Sequence, residues 1–170
     1  MNNAPIKVEP GTIVIFSDLI CPFTHVAVHR LFSTRTRMGL DDDVRFDHHA
    51  FPIELLNGGP GTRHGSDSEI PTLGQLPNSI LLAFEAVQAA KVQGLVASEN
   101  LDRALRRAFW GESATIQIMA TILGIASDTD GVDADLLEQQ LVAGDGRSAV
   151  WSDYGLAKSD TVQMSPHIFL

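Results

Sequence analysis

The run S-D-L-I-C-P-F-T-H-V-A-V-H-R-L, from Ser17 to Leu31, decides how the rest of the chain is read. It holds the single cysteine of the chain, Cys21, followed at once by Pro22. Just upstream, Thr12-Ile13-Val14-Ile15-Phe16 follows Pro10-Gly11 and is short and β-branched, the pattern of a buried strand. Downstream, Pro22 suits the first helical position, where its missing N–H is one of the unpaired groups anyway. Val26, Leu31 and Phe32 supply apolar positions as far as Met38, and Gly39 lies beyond the end. The stretch thus predicts a strand, a thiol at a helix N-terminus, and a helix over 22–38.

That placement has chemical consequences. The unpaired N–H groups and the macrodipole of a helix N-terminus favour the thiolate, the nucleophilic form of cysteine. Thr24 lies three residues on and its hydroxyl can donate to the sulfur. His25 lies four residues on, on the same helical face, and as imidazolium it strengthens the effect. A lone cysteine elsewhere is a small buried hydrophobe; the strand–Cys–Pro–helix setting favours the reactive reading, with the thiol at an accessible helix end. One thiol cannot close an intrachain disulfide. It can form a mixed disulfide that a second, external thiol resolves.

The 170 residues fit one domain with a sizeable core. The net charge of -9 disfavours nucleic-acid backbones and anionic membrane surfaces as partners. No apolar run approaches the roughly 20 residues that span a bilayer. The N-terminal residues lack the pattern of a secretory signal, and a single cysteine suits a reducing compartment; a cytoplasmic location is expected.

Working outward, Val44-Arg45-Phe46-Asp47 alternates like a second strand that Pro52 closes. A strand–helix–strand order implies a βαβ unit with parallel pairing. Leu56 to Leu76 is rich in Gly, Pro, Ser and Asp and reads as a loop. A helix then begins at Leu81 and ends by Gly94. Ser98 is expected to cap a second helix through Leu101, Leu105 and Phe109, and Ser113 a third through Ile116, Ile118 and Leu123. Asp133 is expected to cap a fourth through Leu136, Leu137 and Leu141, ended by Gly144. A fifth helix is expected over 148–158 and a final strand over Pro166-His167-Ile168-Phe169-Leu170.

With a strand, Cys21-Pro22-Phe23-Thr24 at a helix start and a second strand, the chain resembles the DsbA-like branch of the thioredoxin fold. Phe51-Pro52-Ile53-Glu54-Leu55-Leu56-Asn57 is similar to a stretch found after the second strand in FrnE-like thiol-disulfide oxidoreductases. Met164-Ser165-Pro166-His167-Ile168-Phe169 is similar to the family's cis-proline segment. The resemblance implies an α/β thioredoxin-like fold in three parts: 1–77, an all-helical insertion over 78–144, and a return to the thioredoxin-like part over 145–170. It implies a cis bond before Pro166, Cys21 as the catalytic residue assisted by Thr24 and His25, and substrate binding by Pro22, Phe23, Ser165 and Pro166. The expected function is DsbA-type thiol-disulfide oxidoreduction, run as a monothiol reaction because Thr24 stands where these enzymes carry a second cysteine. The substrate is expected to be a thiol or disulfide, with no tightly bound cofactor and with glutathione or another low-molecular-weight thiol as co-substrate. Kappa-type glutathione transferases and 2-hydroxychromene-2-carboxylate isomerases are related and supply an alternative activity, though they place serine at the catalytic position; a non-catalytic peptide-binding module is a further one. Family members continue beyond the point matching Leu170, so either the C-terminal part of the fold is missing or the sheet is finished some other way, and an exposed sheet edge is expected to favour a homodimer or other contacts that cover it.

Other clusters carry less. Cys21, His25 and His29 recur every fourth residue, but the first and last lie about 12 Å apart along a helix, too far for one ion; no metal site is expected. Gly58-Gly59-Pro60-Gly61 lacks the lysine of a phosphate loop, and Asp41-Asp42-Asp43 reads as a solvated turn. Arg103, Arg106 and Arg107 read as a solvated helix face, and Trp110 and Trp151 as core or groove residues.

Overall fold

A computed structural model describes residues 6–56 and 80–170. The expected loop beyond Leu56, including Gly58–Gly61 and His64, lies outside the described residues. Strand β1 (Thr12–Ser17) is followed by helix α1 (Pro22–Arg37), strand β2 (Arg45–Ala50) and the short helix α2 (Ile53–Leu56). Helix α3 (Leu81–Ala89) passes into a 3-10 turn at Ala90–Gln93, followed by α4 (Leu95–Glu112), α5 (Met119–Ser127), α6 (Ala134–Ala143) and α7 (Arg147–Ala157). Strand β3 (His167–Phe169) comes last.

The sheet order is β2-β1-β3. β1 pairs in parallel with β2, Thr12 opposite Arg45, and antiparallel with β3, Phe16 opposite His167. The architecture is the expected thioredoxin-like α/β fold with helices inserted between β2 and β3. Entry into β1 depends on Gly11: its φ is +73°, and a Cβ there would lie 2.9 Å from the Asp43 carbonyl oxygen.

Period-2 alternation explains how the sheet is buried on both faces. Val14 and Phe16 pack with Phe51 and Val162 on one side, and Ile15 packs with Val28, Phe32 and Phe46 under α1 on the other. A third cluster fills the helical block and reaches Leu19, Ala50 and Leu55 beside the sheet. The outer edge of β2 is closed by side chains of that block. Glu99 Oε2 accepts from the Phe46 N–H at 2.9 Å, Asp153 Oδ2 accepts from the Ala50 N–H at 2.9 Å, and Gln88 Nε2 donates to the His48 carbonyl at 2.8 Å. An edge strand left bare exposes such groups for pairing with another chain; here α3, α4 and α7 take them.

Several local expectations need correction. Ser98 caps nothing: α4 begins at Leu95 after Gly94, and the buried Ser98 hydroxyl donates to the Val87 carbonyl at 2.8 Å. Ser113 closes α4 in the left-handed conformation (φ 56°) instead of opening α5, which begins after Ile118. β2 extends to Ala50, before the closing Pro52, and a short helix not expected from the sequence, α2, precedes the expected loop. Asp133 does cap α6, its carboxylate accepting from the Leu136 N–H at 2.9 Å, and Gly144 follows the helix at φ 81°.

Candidate active site

Cys21 is the residue that enters α1. It has an extended backbone (φ -80°, ψ 121°), Pro22 follows as the first helical residue, and its carbonyl accepts the first helical hydrogen bond from the His25 N–H at 3.0 Å. Cys21 therefore occupies the N-cap position of α1, but its side chain makes no capping hydrogen bond to the helix.

Three residues, Asp18 to Ile20, join β1 to this point, and every part of that connection is tied down. Asp18 Oδ1 accepts from the Ile20 N–H at 2.8 Å, an Asx turn, while Oδ2 accepts from the Ile53 N–H at 2.9 Å at the start of α2. The Asp18 carbonyl accepts from the Cys21 N–H at 3.4 Å and from Arg106 Nη1 at 2.9 Å. Arg106 Nη2 donates to Ser17 Oγ at 2.7 Å, and Trp110 Nε1 donates to the Leu19 carbonyl at 3.3 Å. The inserted helix α4 thus fixes the thiol-bearing turn from behind.

From the front comes the segment before β3. The Ser165–Pro166 peptide is cis. Cys21 Sγ lies 3.8 Å from the Ser165 carbonyl oxygen and donates to it. Ser165 Oγ accepts from the Asp18 N–H at 2.8 Å and lies 2.7 Å from Thr24 Oγ1. The structure thus brings Cys21, Thr24 and Ser165 together. The Thr24 hydroxyl bonds to the proline loop through Ser165, either oxygen being able to donate.

The expectation of an accessible thiol needs correction: Cys21 is only 7% exposed, whereas neighbouring Phe23 is 79% exposed and Met164, just before Ser165, is 60% exposed. An apolar rim therefore stands proud of a recessed sulfur. His25 faces a different way. Its ring packs against Trp110 at 5.6 Å, and its Nδ1 is buried with no hydrogen-bond partner among the described residues. Burial above all, then the charges of Arg106 and His29, lower its pKa below the ordinary histidine value. This shift disfavours the imidazolium form expected to assist the thiol.

Arg106 corrects another expectation. It is 2% exposed, not solvated. Its Nε and Nη2 engage Asp102 at 2.7 and 3.0 Å, and Asp102 lies 3.7 Å from His48 Nδ1. Burial works to raise the Asp102 pKa, but Arg106 and then His48 hold it below the usual carboxylate value. For Asp18 burial wins: its pKa is raised in spite of the Ile20 and Ile53 N–H groups and Arg106. Asp18, Asp102 and Arg106 are the positioning residues that sequence reasoning passed over. One signal was present: Asp102 and Arg106, at i,i+4 spacing, interleave with Leu101 and Leu105 on a stripe that must face inward. Among the described residues no group of three His, Cys, Asp or Glu side chains is placed to hold a metal ion, and no helix is long and apolar enough to cross a membrane.

Comparison with known proteins agrees with this geometry. The DSBA-like thioredoxin domain model matches residues 12–169. Among solved structures, the oxidoreductase NmDsbA1 from N. meningitidis superposes with a TM-score of 0.58 at 10% identity, over 98% of this chain and 75% of that one. A Pseudomonas aeruginosa DsbA variant gives 0.57 at 15% identity, over 98% and 77% of the two chains. The oxidoreductase NmDsbA3 from Neisseria meningitidis gives 0.51 at 14% identity, again over 98% and 77%. No curated protein sequence matches significantly. With the family model spanning β1 to β3, and a Cys-Pro helix start facing a cis-proline loop, the chain belongs to the DSBA-like thioredoxin domain family.

Proposed function

We propose that the protein is a monothiol oxidoreductase in which Cys21 is the nucleophile. The observation that carries this reading is the pairing of Cys21 Sγ at the α1 N-terminus with the Ser165 carbonyl of the cis-proline loop at 3.8 Å, in a chain with no second cysteine. The Cys21 thiolate attacks one sulfur of a disulfide R–S–S–R′. The S–S bond breaks, a Cys21–S–S–R mixed disulfide forms, and R′–S⁻ leaves and takes up a proton. A second thiolate, from glutathione or another low-molecular-weight thiol, then attacks the sulfur of R. It forms the new disulfide and returns Cys21 as thiolate. Thr24 and Ser165 fix the geometry of the loop, and Phe23 and Met164 offer apolar surface to whatever carries the substrate sulfur. The test is glutathione-dependent reduction of a small disulfide, coupled to NADPH consumption through glutathione reductase. Cys21→Ala is expected to abolish turnover; full turnover in that variant overturns the assignment.

One observation favours a second reading, a peptide-binding platform without turnover: the sulfur is recessed and already engaged with Ser165, while Phe23 and Met164 lie exposed beside it. Under that reading the Cys21→Ala protein binds its peptide partner unchanged and neither form turns over.

A further inference from the structure

A cleft of about 630 Å³ opens between α1 and α4, on a face that Cys21, Ser165 and Pro166 do not line. Its floor is apolar, from Val28, Phe32 and Ala104, and Arg103, Arg107 and Trp110 of α4 border it. We propose that this cleft binds a small organic anion, its oxyanion held by Arg103 and Arg107 and its apolar or aromatic body laid against Trp110 and the Val28–Phe32 floor.

Four observations carry the proposal. First, Arg103 pairs with no carboxylate among the described residues; its guanidinium lies 5.0 Å from the centre of the Phe32 ring, in position over the cleft. Among the described residues Arg107 has only Glu112, at 3.9 Å and with both side chains largely exposed, a pair of little strength. Two guanidinium groups left open on one cleft stand out in a chain of net charge -9. Second, His25 Nδ1 is buried at the cleft wall without a partner among the described residues, a cost of the kind a ligand or ordered water relieves. Third, Trp110 is 39% exposed, and its indole N–H is anchored to the Leu19 carbonyl at 3.3 Å, so that the ring is held as a fixed wall. Such rings make flat contact surfaces with little entropy loss on binding. Fourth, the volume suits a small molecule, and the mix of an apolar floor with a few convergent polar groups is that of ligand sites. Asp128 and Asp130 close the end near Asn100, whose Nδ2 donates to the Asp130 carbonyl at 2.9 Å; an anion is thereby directed along α4 towards Arg107 and Trp110.

The bland alternative is a solvated helix face. It accounts for the two arginines, but not for the unpaired buried His25 nitrogen or the anchored, half-exposed tryptophan beside them.

The test follows Trp110 fluorescence in a Trp151→Phe background, so that one tryptophan reports. Phthalate is expected to give a saturable change. Its neutral dimethyl ester is expected to give none, and inorganic phosphate, which lacks the aromatic body, to bind about tenfold more weakly. Arg103→Gln/Arg107→Gln is expected to weaken phthalate by about tenfold or more, since charge-assisted pairs are lost. Arg107→Gln alone, at a side chain 78% exposed, tests the same point without risk to folding. Cys21→Ser is expected to bind phthalate unchanged, which keeps this site distinct from the thiol chemistry. No saturable response to phthalate, an equal response to the ester, phosphate binding as tight as phthalate, undiminished binding in the arginine variants, or loss of binding in Cys21→Ser overturns the proposal.

Discussion

Thr24 Oγ1 and Ser165 Oγ lie 2.7 Å apart, which ties the residue three places after the thiol to the residue that precedes cis Pro166. The position that carries a second sulfur in a dithiol site here carries a hydroxyl committed to holding two loops together. Thr24 is fully buried, so the bond is made out of water. Thr24→Val keeps the shape and removes the hydroxyl. It is expected to cost about 1 kcal/mol of stability in urea unfolding, the net worth of a typical hydrogen bond, and to change the native-state alkylation rate of Cys21 as the Ser165 loop loosens. An unchanged stability and rate would show that the contact orders nothing.

Thr24→Cys restores two thiols three residues apart at a helix N-terminus. After mild oxidation the variant is expected to show no free thiol by native thiol titration, while the parent chain keeps one. Two titratable thiols persisting after oxidation would mean that the site cannot bring the two sulfurs together.

Arg106 is buried against Asp102, Ser17 and Asp18. Arg106→Met leaves Asp102 as an unpaired buried charge and is expected to cost about 3–5 kcal/mol in denaturant unfolding. Arg106→Met/Asp102→Leu is expected to recover a large part of that loss. A single variant within about 0.5 kcal/mol of the parent, the range of ordinary surface substitutions, would show that the pair is unimportant.

The two adjacent histidines of β2 are expected to give stability slopes of opposite sign. For His49 burial disfavours the charged form, but hydrogen bonds to Asp153 at 2.8 Å and Asp47 at 3.3 Å outweigh it and raise the pKa. Its contribution is fully present below the unfolded histidine value of about 6.5 and is lost as pH rises through the higher folded value. For His48 burial comes first and lowers the pKa, so its cost appears as pH falls below about 6.5. His49→Gln should flatten the loss of stability on the alkaline side, and His48→Leu the loss on the acid side. Urea midpoints across pH that show the same slope in both variants would contradict these assignments.

Much of this was legible in the sequence because it is local. The β-branched run at Thr12–Phe16, Pro22 at the first helical turn and Asp133 three residues before Leu136 each declare an element from nearest neighbours alone. Resemblance supplied the expectation of a cis bond before Pro166, a geometry no single chain pattern dictates. What escaped depends on distant partners. Ser98 has the composition of a cap, yet its hydroxyl is taken by Val87 of the preceding helix. Arg106 resembles its exposed neighbours Arg103 and Arg107, and only the arrival of Ser17 and Asp18, 89 and 88 positions away, buries it. His25 follows Cys21 by one helical turn, but its ring packs on Trp110, and burial there with the charge of Arg106 lowers its pKa, which spacing does not report.

The most direct measurement is to trap the intermediate. The protein is incubated with a small disulfide, excess thiol is blocked with acid, and the intact mass is read before and after glutathione is added. One adduct of the disulfide's half-mass is expected on Cys21, located by peptide mapping, and it should disappear with glutathione at a rate that keeps pace with turnover. An unmodified Cys21 in the native protein, labelled only after unfolding, would contradict the nucleophile assignment and leave the thiol as a core residue.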